Sequence, residues 1–170
     1  DERLVKDLWV INSVAEPRPT LETYKYQMPG EKEAPIRYLY MFDADTKTSK
    51  IIKTEAFKNQ ELGMWSAPAK ESSRDDENRV NYWLGTNEKV YISRTSRDLK
   101  KVDICHVDVA TGETKVLIEE RFNTYIELKR PWLINGGKEI IFWSERDGWG
   151  HFYLYDENGK LVRQITSGAW

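Results

Sequence analysis

One cysteine, two histidines and no long apolar run set the first limits on this 170-residue sequence. With Cys105 alone, no internal disulfide can form. No apolar stretch reaches the roughly 18 residues that a membrane-spanning helix needs. No secretory leader pattern is present, and the sequence opens in mid-pattern at "DERLVKDLWV" without an initiator Met. The charges nearly cancel, 26 Lys and Arg against 28 Asp and Glu, for a formal −2. That balance lacks the basic excess of a nucleic-acid footprint. No G-x-S-x-G occurs, so there is no nucleophile elbow on which a catalytic triad could be built. A helical apolar stripe is missing as well.

What is present is aromatic and β-branched. Seven Trp and nine Tyr suit sheet faces and packed sheet layers. Short alternating runs bounded by turn residues recur: "KVYISR" (89–94), "KVDICHVDV" (101–109), "ETKVLIEE" (113–120), "EIIFWSE" (139–145), "GHFYLYD" (150–156) and "KLVRQIT" (160–166). The segment "APAKESSRDDENRVNYW" (67–83) is too polar for a helix and reads as a long loop. The expected fold class is all-β, built of antiparallel sheets.

The runs repeat. "LGTNEKVYISRTSRDLKKVDICHVDVATGETKVLI" and "LINGGKEIIFWSERDGWGHFYLYDENGKLVRQI" follow one plan, in which Ser93 matches Ser144, Asp108 matches Asp156 and Gly112 matches Gly159, at offsets of 51, 48 and 47. A divergent third copy is "RYLYMFDADTKTSKIIK" (37–53), with Asp43 in the place of Asp108. The Asp at each strand end is turn chemistry: its carboxylate bonds nearby backbone amides, and a following Gly takes positive φ. Asp147-Gly148 is the strongest hairpin signal. A repeat of roughly 40–50 residues holding about four strands is that of a β-propeller blade. Three blades fit, so residues 1–170 read as part of the propeller of a larger protein. A β-sandwich, which also spaces hairpins regularly, is the competing reading.

Four stretches resemble one family. "SERDGWGHFYLYDENGKLVRQITSGAW" is similar to a family stretch at Ser144, Asp147, Gly148, Trp149, His151, Tyr153, Ile165, Thr166, Gly168 and Trp170. "KVDICHVDVATGE" matches at Asp103, Ile104 and Cys105, and "YKYQMPGEKEAP" more loosely at Tyr24, Tyr26, Gly30 and Pro35, with Gln27 and Ala34 departing from the pattern. "EPRPTLETYKY" looks like the bacterial branch. The family is the propeller domain of the dipeptidyl peptidase IV group of serine peptidases. The resemblance implies a propeller joined to a C-terminal α/β-hydrolase domain that holds the triad. It also implies removal of N-terminal dipeptides from peptides with a free amine, and it is compatible with a homodimeric parent. A periplasmic or otherwise extracytoplasmic location in a bacterium is the matching expectation. No cofactor is implied.

Within the segment no catalytic residue is expected. Lys129 and Arg130, beside Pro131, are the candidate substrate contacts, placed on a loop that faces a cavity. Glu119 and Glu120 invite comparison with the amine-gripping glutamate pair of the family. That pair is expected upstream of this segment, so Glu119 and Glu120 read as a solvated blade edge. Asp103, Cys105, His106 and His151 carry metal-ligand chemistry. Cys105 and His106 alternate across one strand, however, so no shared site is expected and Cys105 reads as a small buried hydrophobe. The aromatics Trp143, Trp149, Phe152, Tyr153 and Tyr155 read as inter-blade packing rather than a carbohydrate platform. The alternative function is a stand-alone propeller, or a carbohydrate- or protein-binding β domain, without a hydrolase partner.

Overall fold

The computed structural model describes residues 1–67 and 81–170. The polar loop expected over 67–83 falls largely on residues 68–80, outside the described residues. The chain divides into two compact units, Asp1–Arg37 and Tyr38–Trp170.

The first unit is a hairpin of β1 (Asp7–Asn12) and β2 (Thr20–Lys25), paired antiparallel from Asp7↔Lys25 to Asn12↔Thr20. Its strand ends are tied by the Lys25–Asp7 ion pair at 2.9 Å and by Asn12 Nδ2 donating to Glu22 Oε1 at 2.9 Å. The repeat did not signal this hairpin, because residues 1–36 hold no copy of it.

Among the described residues the second unit holds three antiparallel sheets. β3 (Leu39–Asp43) pairs with β4 (Thr48–Ile52). A four-stranded meander follows: β5 (Glu61–Met64), β6 (Lys89–Thr95), β7 (Lys101–Asp108) and β8 (Thr114–Arg121). The second meander is β9 (Trp132–Ile134), β10 (Glu139–Ser144), β11 (His151–Asp156) and β12 (Leu161–Gln164). The strands read from the sequence are all here within a few residues. Those it missed are the short β5 and β9, besides β1 and β2.

The turns do what the aspartates require. Asp43 Oδ1 accepts from the amides of Asp45 and Thr46 at 2.9 and 3.0 Å. Asp108 Oδ1 accepts from the Thr111 amide at 2.7 Å, and Asp156 Oδ1 from those of Asn158 and Lys160, both at 2.9 Å. The left-handed position after each Asp is filled by Lys47 (φ 54°), Gly112 (φ 77°) and Gly159 (φ 86°). The β10–β11 connection is longer than a two-residue hairpin turn: Ser144 pairs with His151, leaving residues 145–150 as the loop. Gly148 holds φ 94° within it, and its amide donates to the Glu145 carbonyl at 2.9 Å.

The sheets stack face to face with their neighbours in sequence. One face of the first meander meets the β3–β4 hairpin, where Ile52 packs with Val90, Ile92, Cys105 and Val107. The other face meets the second meander, where Val102, Ile104, Leu117 and Ile118 pack with Ile140, Phe142, Tyr153 and Tyr155. Cover on both sides explains why β7 is buried continuously from Val102 to Val107 instead of alternately. Each fully buried side chain of this size contributes roughly 1.5–3 kcal/mol, so the two clusters fix the stacking. Tyr153 and Tyr155 are core residues, as expected. Trp149 departs from the packing expectation: it stands 49% exposed on the β10–β11 loop.

Candidate functional site

The segment entering β9 carries both candidate substrate contacts. It is pinned where the buried Ile126 donates its amide to the Leu99 carbonyl at 2.9 Å. Lys129 then forms an ion pair with Glu127 and lies 5.6 Å from the ring centre of Trp143. Arg130 is half-buried and lines a cavity of about 290 Å³ with Leu84, Gly85, Pro131, Trp132 and Leu133. Gly136 and Gly137 also line it with bare backbone; the Gly136 carbonyl lies 3.7 Å from where a Gly85 Cβ would be. The structure therefore separates the two residues: Arg130 belongs to the cavity, while Lys129 is engaged by Glu127 and Trp143. Half-buried beside apolar walls, a guanidinium can hold a carbonyl or carboxylate through charge-assisted hydrogen bonds.

Glu119 and Glu120 part company. Glu119 is exposed and meets Arg121 at 3.2 Å. Glu120 corrects the expectation of a solvated edge: it is 3% exposed and lies between the two meanders. Its Oε2 accepts from Ser144 Oγ at 2.7 Å, and its Oε1 pairs with Arg146. Arg146 also donates to Ser144 Oγ at 3.1 Å and lies 4.4 Å from the Tyr153 ring centre. Strand alternation turns Glu119 to one face and Glu120 to the other, where the next sheet covers it.

Asp103 is the second buried carboxylate, 2% exposed. Its Oδ2 accepts from Arg94 Nη2 at 2.6 Å and Nε at 3.1 Å, and its Oδ1 from Arg121 Nη2 at 2.5 Å. Both oxygens are thus committed to guanidinium donors, an arrangement that satisfies a buried charge. Sequence reasoning missed both networks. The signal was there in part for the Asp103 network: Arg94 and Asp103 are directly cross-strand.

The metal-ligand chemistries do not converge. Cys105 is buried in the cluster with Ile52, whereas His106 turns to the opposite face and meets the edge of Tyr91. Burial pushes the Cys105 thiol up to about 12, against the pull of Arg94. Burial, then Lys89 and Lys115, holds His106 below the ordinary imidazole range. Both ring nitrogens of His151 are used: Nδ1 meets Thr166 Oγ1 at 3.2 Å and Nε2 the Gly168 carbonyl at 2.9 Å. Among the described residues no three His, Cys, Asp or Glu side chains are grouped to hold a metal ion.

Comparison with known proteins gives a consistent frame. The family model described as "Dipeptidyl peptidase IV (DPP IV) N-terminal region" matches residues 1–170. The crystal structure of dipeptidyl peptidase 4 from Porphyromonas gingivalis superposes with a TM-score of 0.78 at 21% identity, covering 100% of this chain and 22% of that one. A Bacteroides ovatus protein described as a dipeptidyl aminopeptidase IV gives 0.70 at 19% identity, covering 99% of this chain and 24% of that one. The chain thus spans less than a quarter of either protein's length. The stacked antiparallel sheets are part of a propeller, and the chain belongs to the dipeptidyl peptidase IV N-terminal region family.

Proposed function

We propose that this chain is the non-catalytic propeller part of a serine exopeptidase that releases N-terminal dipeptides. In this role it shapes the cavity that receives the peptide. The reading rests on the family match over the whole chain, joined to the placement of Arg130 in a small, mostly apolar cavity. The nucleophile and its partners belong to a C-terminal α/β-hydrolase domain of the same polypeptide. The parent works outside the cytoplasm of a bacterium, as a monomer or a homodimer.

Arg130 is the residue to change. In the full-length parent, Arg130→Ala should raise KM for an N-terminal dipeptide amide about tenfold and leave kcat near its original value, the pattern of a lost uniform-binding contact. Lys129→Ala should shift KM by less than about threefold, because Glu127 already occupies its charge. Unchanged kinetics for Arg130→Ala would remove the residue from the peptide site. An effect confined to kcat would put it elsewhere in the reaction.

A further inference from the structure

The sequence contains two Asn-Gly pairs, Asn135-Gly136 and Asn158-Gly159. In such a pair the glycine amide nitrogen can close on the side-chain carbonyl carbon of the asparagine, because glycine has no side chain to block the approach. Both asparagines are exposed, and both lie in turns between antiparallel strands, so the sequence ranks them alike. The structure separates them. The Asn158 amide donates to Asp156 Oδ1 at 2.9 Å, and its side-chain Oδ1 accepts from Lys115 Nζ at 3.1 Å. The Gly159 amide donates to the Asp156 carbonyl at 3.1 Å. Gly159 also lies against the preceding meander, where the Leu117 carbonyl would be 2.2 Å from a Cβ. Ring closure at Asn158 therefore breaks hydrogen bonds and moves the turn against a packed sheet.

Asn135 has none of these restraints. It opens the connection from β9 to β10, where Ile134 pairs with Glu139. Its φ is 51°, and Gly136 and Gly137 follow at 67° and 86°. The Gly136 amide has no hydrogen-bond partner among the described residues, and a Cβ on Gly136 would meet nothing within 4 Å. The attacking nitrogen is thus uncommitted and has room to turn. The side-chain Nδ2 of Asn135 donates to Glu139 Oε2, which sets a carboxylate beside the group that must leave. We propose that Asn135-Gly136 is a site of self-modification, at which the side-chain amide is converted to an acid through a succinimide. The bond from the Gly136 nitrogen to Asn135 Cγ forms and the Cγ–Nδ2 bond breaks. Nδ2 departs as ammonia, taking up the Gly136 amide proton, with the Glu139 carboxylate in place to relay it. Water then opens the ring at either carbonyl, giving aspartate or isoaspartate, with no change of oxidation state. The product sets a second carboxylate against Glu139 in place of a hydrogen-bond donor, a like-charge pair. It does so in the turn whose Gly136 and Gly137 line the Arg130 cavity.

The test incubates the unsubstituted full-length parent in mildly alkaline buffer and follows both Asn-Gly peptides by mass spectrometry over time. The denatured parent is the reference. Both pairs are open there, and they should convert at rates within about threefold of each other. In the native protein Asn135 should convert at least about tenfold faster than Asn158, whose turn must first open. The acidic form of the Asn135 peptide should contain isoaspartate as well as aspartate, and a protein isoaspartyl methyltransferase should methylate it. Equal native rates, or faster conversion at Asn158, would overturn the assignment. So would a native Asn135 that keeps its amide while the denatured chain converts. Aspartate without isoaspartate would mean direct hydrolysis of the side-chain amide, and would overturn attack by Gly136. The readout is chemical and does not use dipeptide release, so its outcome is separate from that of the peptidase reading.

Discussion

Cys105 shows how a single side chain reports its surroundings. It lies between two sheets, 0% exposed, and burial holds its thiol protonated up to about pH 12. The native protein should therefore resist maleimide at pH 8, and peptide mapping should find Cys105 labelled only after denaturant is added. Labelling of the native state would contradict its burial. The folded thiol is the weaker acid, so the unfolded chain loses its proton first as pH rises. The contribution of Cys105 is thus intact below the ordinary thiol range and lost as pH climbs from there toward about 12. Glycine gives a second test at this scale. Gly148 and Gly159 both hold positive φ, but a Cβ on Gly148 meets nothing within 4 Å, while one on Gly159 would lie 2.2 Å from the Leu117 carbonyl. Gly148→Ala should cost about 1 kcal/mol, the left-handed penalty alone. Gly159→Ala should cost clearly more, on the order of 3 kcal/mol, because two sheets must also separate. Glu157→Ala, in the exposed turn, should stay within about 0.5 kcal/mol. Equal denaturant midpoints for the two glycine variants in the parent would show that the close approach of the sheets is wrong.

Between elements, the Glu120, Ser144 and Arg146 contact ties β8 to the β10–β11 loop. The partners are unequally exposed, 3% for the Glu120 side chain and 29% for Arg146. Removing the guanidinium strands a buried carboxylate, whereas removing the negative charge leaves an arginine that can still reach water. Arg146→Met should cost about 3 kcal/mol and Glu120→Gln about 1 kcal/mol. In the Glu120→Gln background Arg146→Met should cost much less, and a double-mutant cycle measures this. Additive costs would mean that the two residues do not share a network. The strands around this contact were legible because alternation and Asp-Gly turns are local signals. Glu120 was not. The strand pattern "KVLIEE" (115–120) says that one glutamate faces each way, but only the neighbouring sheet decides which of them loses water. The same limit applies to β5 and β9, of four and three residues, whose pairing comes from the adjacent β6 and β10 and not from their own sequence.

Over the whole molecule, the repeat carried most of the fold. Three turn aspartates, 65 and 48 residues apart, predicted successive antiparallel sheets of a propeller, and each sheet packs on its neighbour in sequence from β3–β4 onward. The β1–β2 hairpin lay outside the repeat and so outside its reach. The candidate site was half legible: Lys129 and Arg130, beside Pro131, read as a loop facing a cavity, but only folding shows that Arg130 turns to the cavity while Lys129 is held by Glu127. Function at this scale belongs to the longer protein. If the propeller is joined to a hydrolase domain, the parent should release dipeptides from peptides with a free N-terminus, and N-acetylation of the same peptide should abolish release. Acetylation removes the ammonium charge and leaves the scissile bond unchanged, so it isolates recognition of the free amine from the chemistry of cleavage. Mass spectrometry of the products decides between outcomes. Successive loss of two-residue units from the free peptide alone supports an exopeptidase behind a propeller. Equal cleavage of the acetylated peptide, or cuts at internal positions, would make the parent an endopeptidase and take the amine out of the recognition.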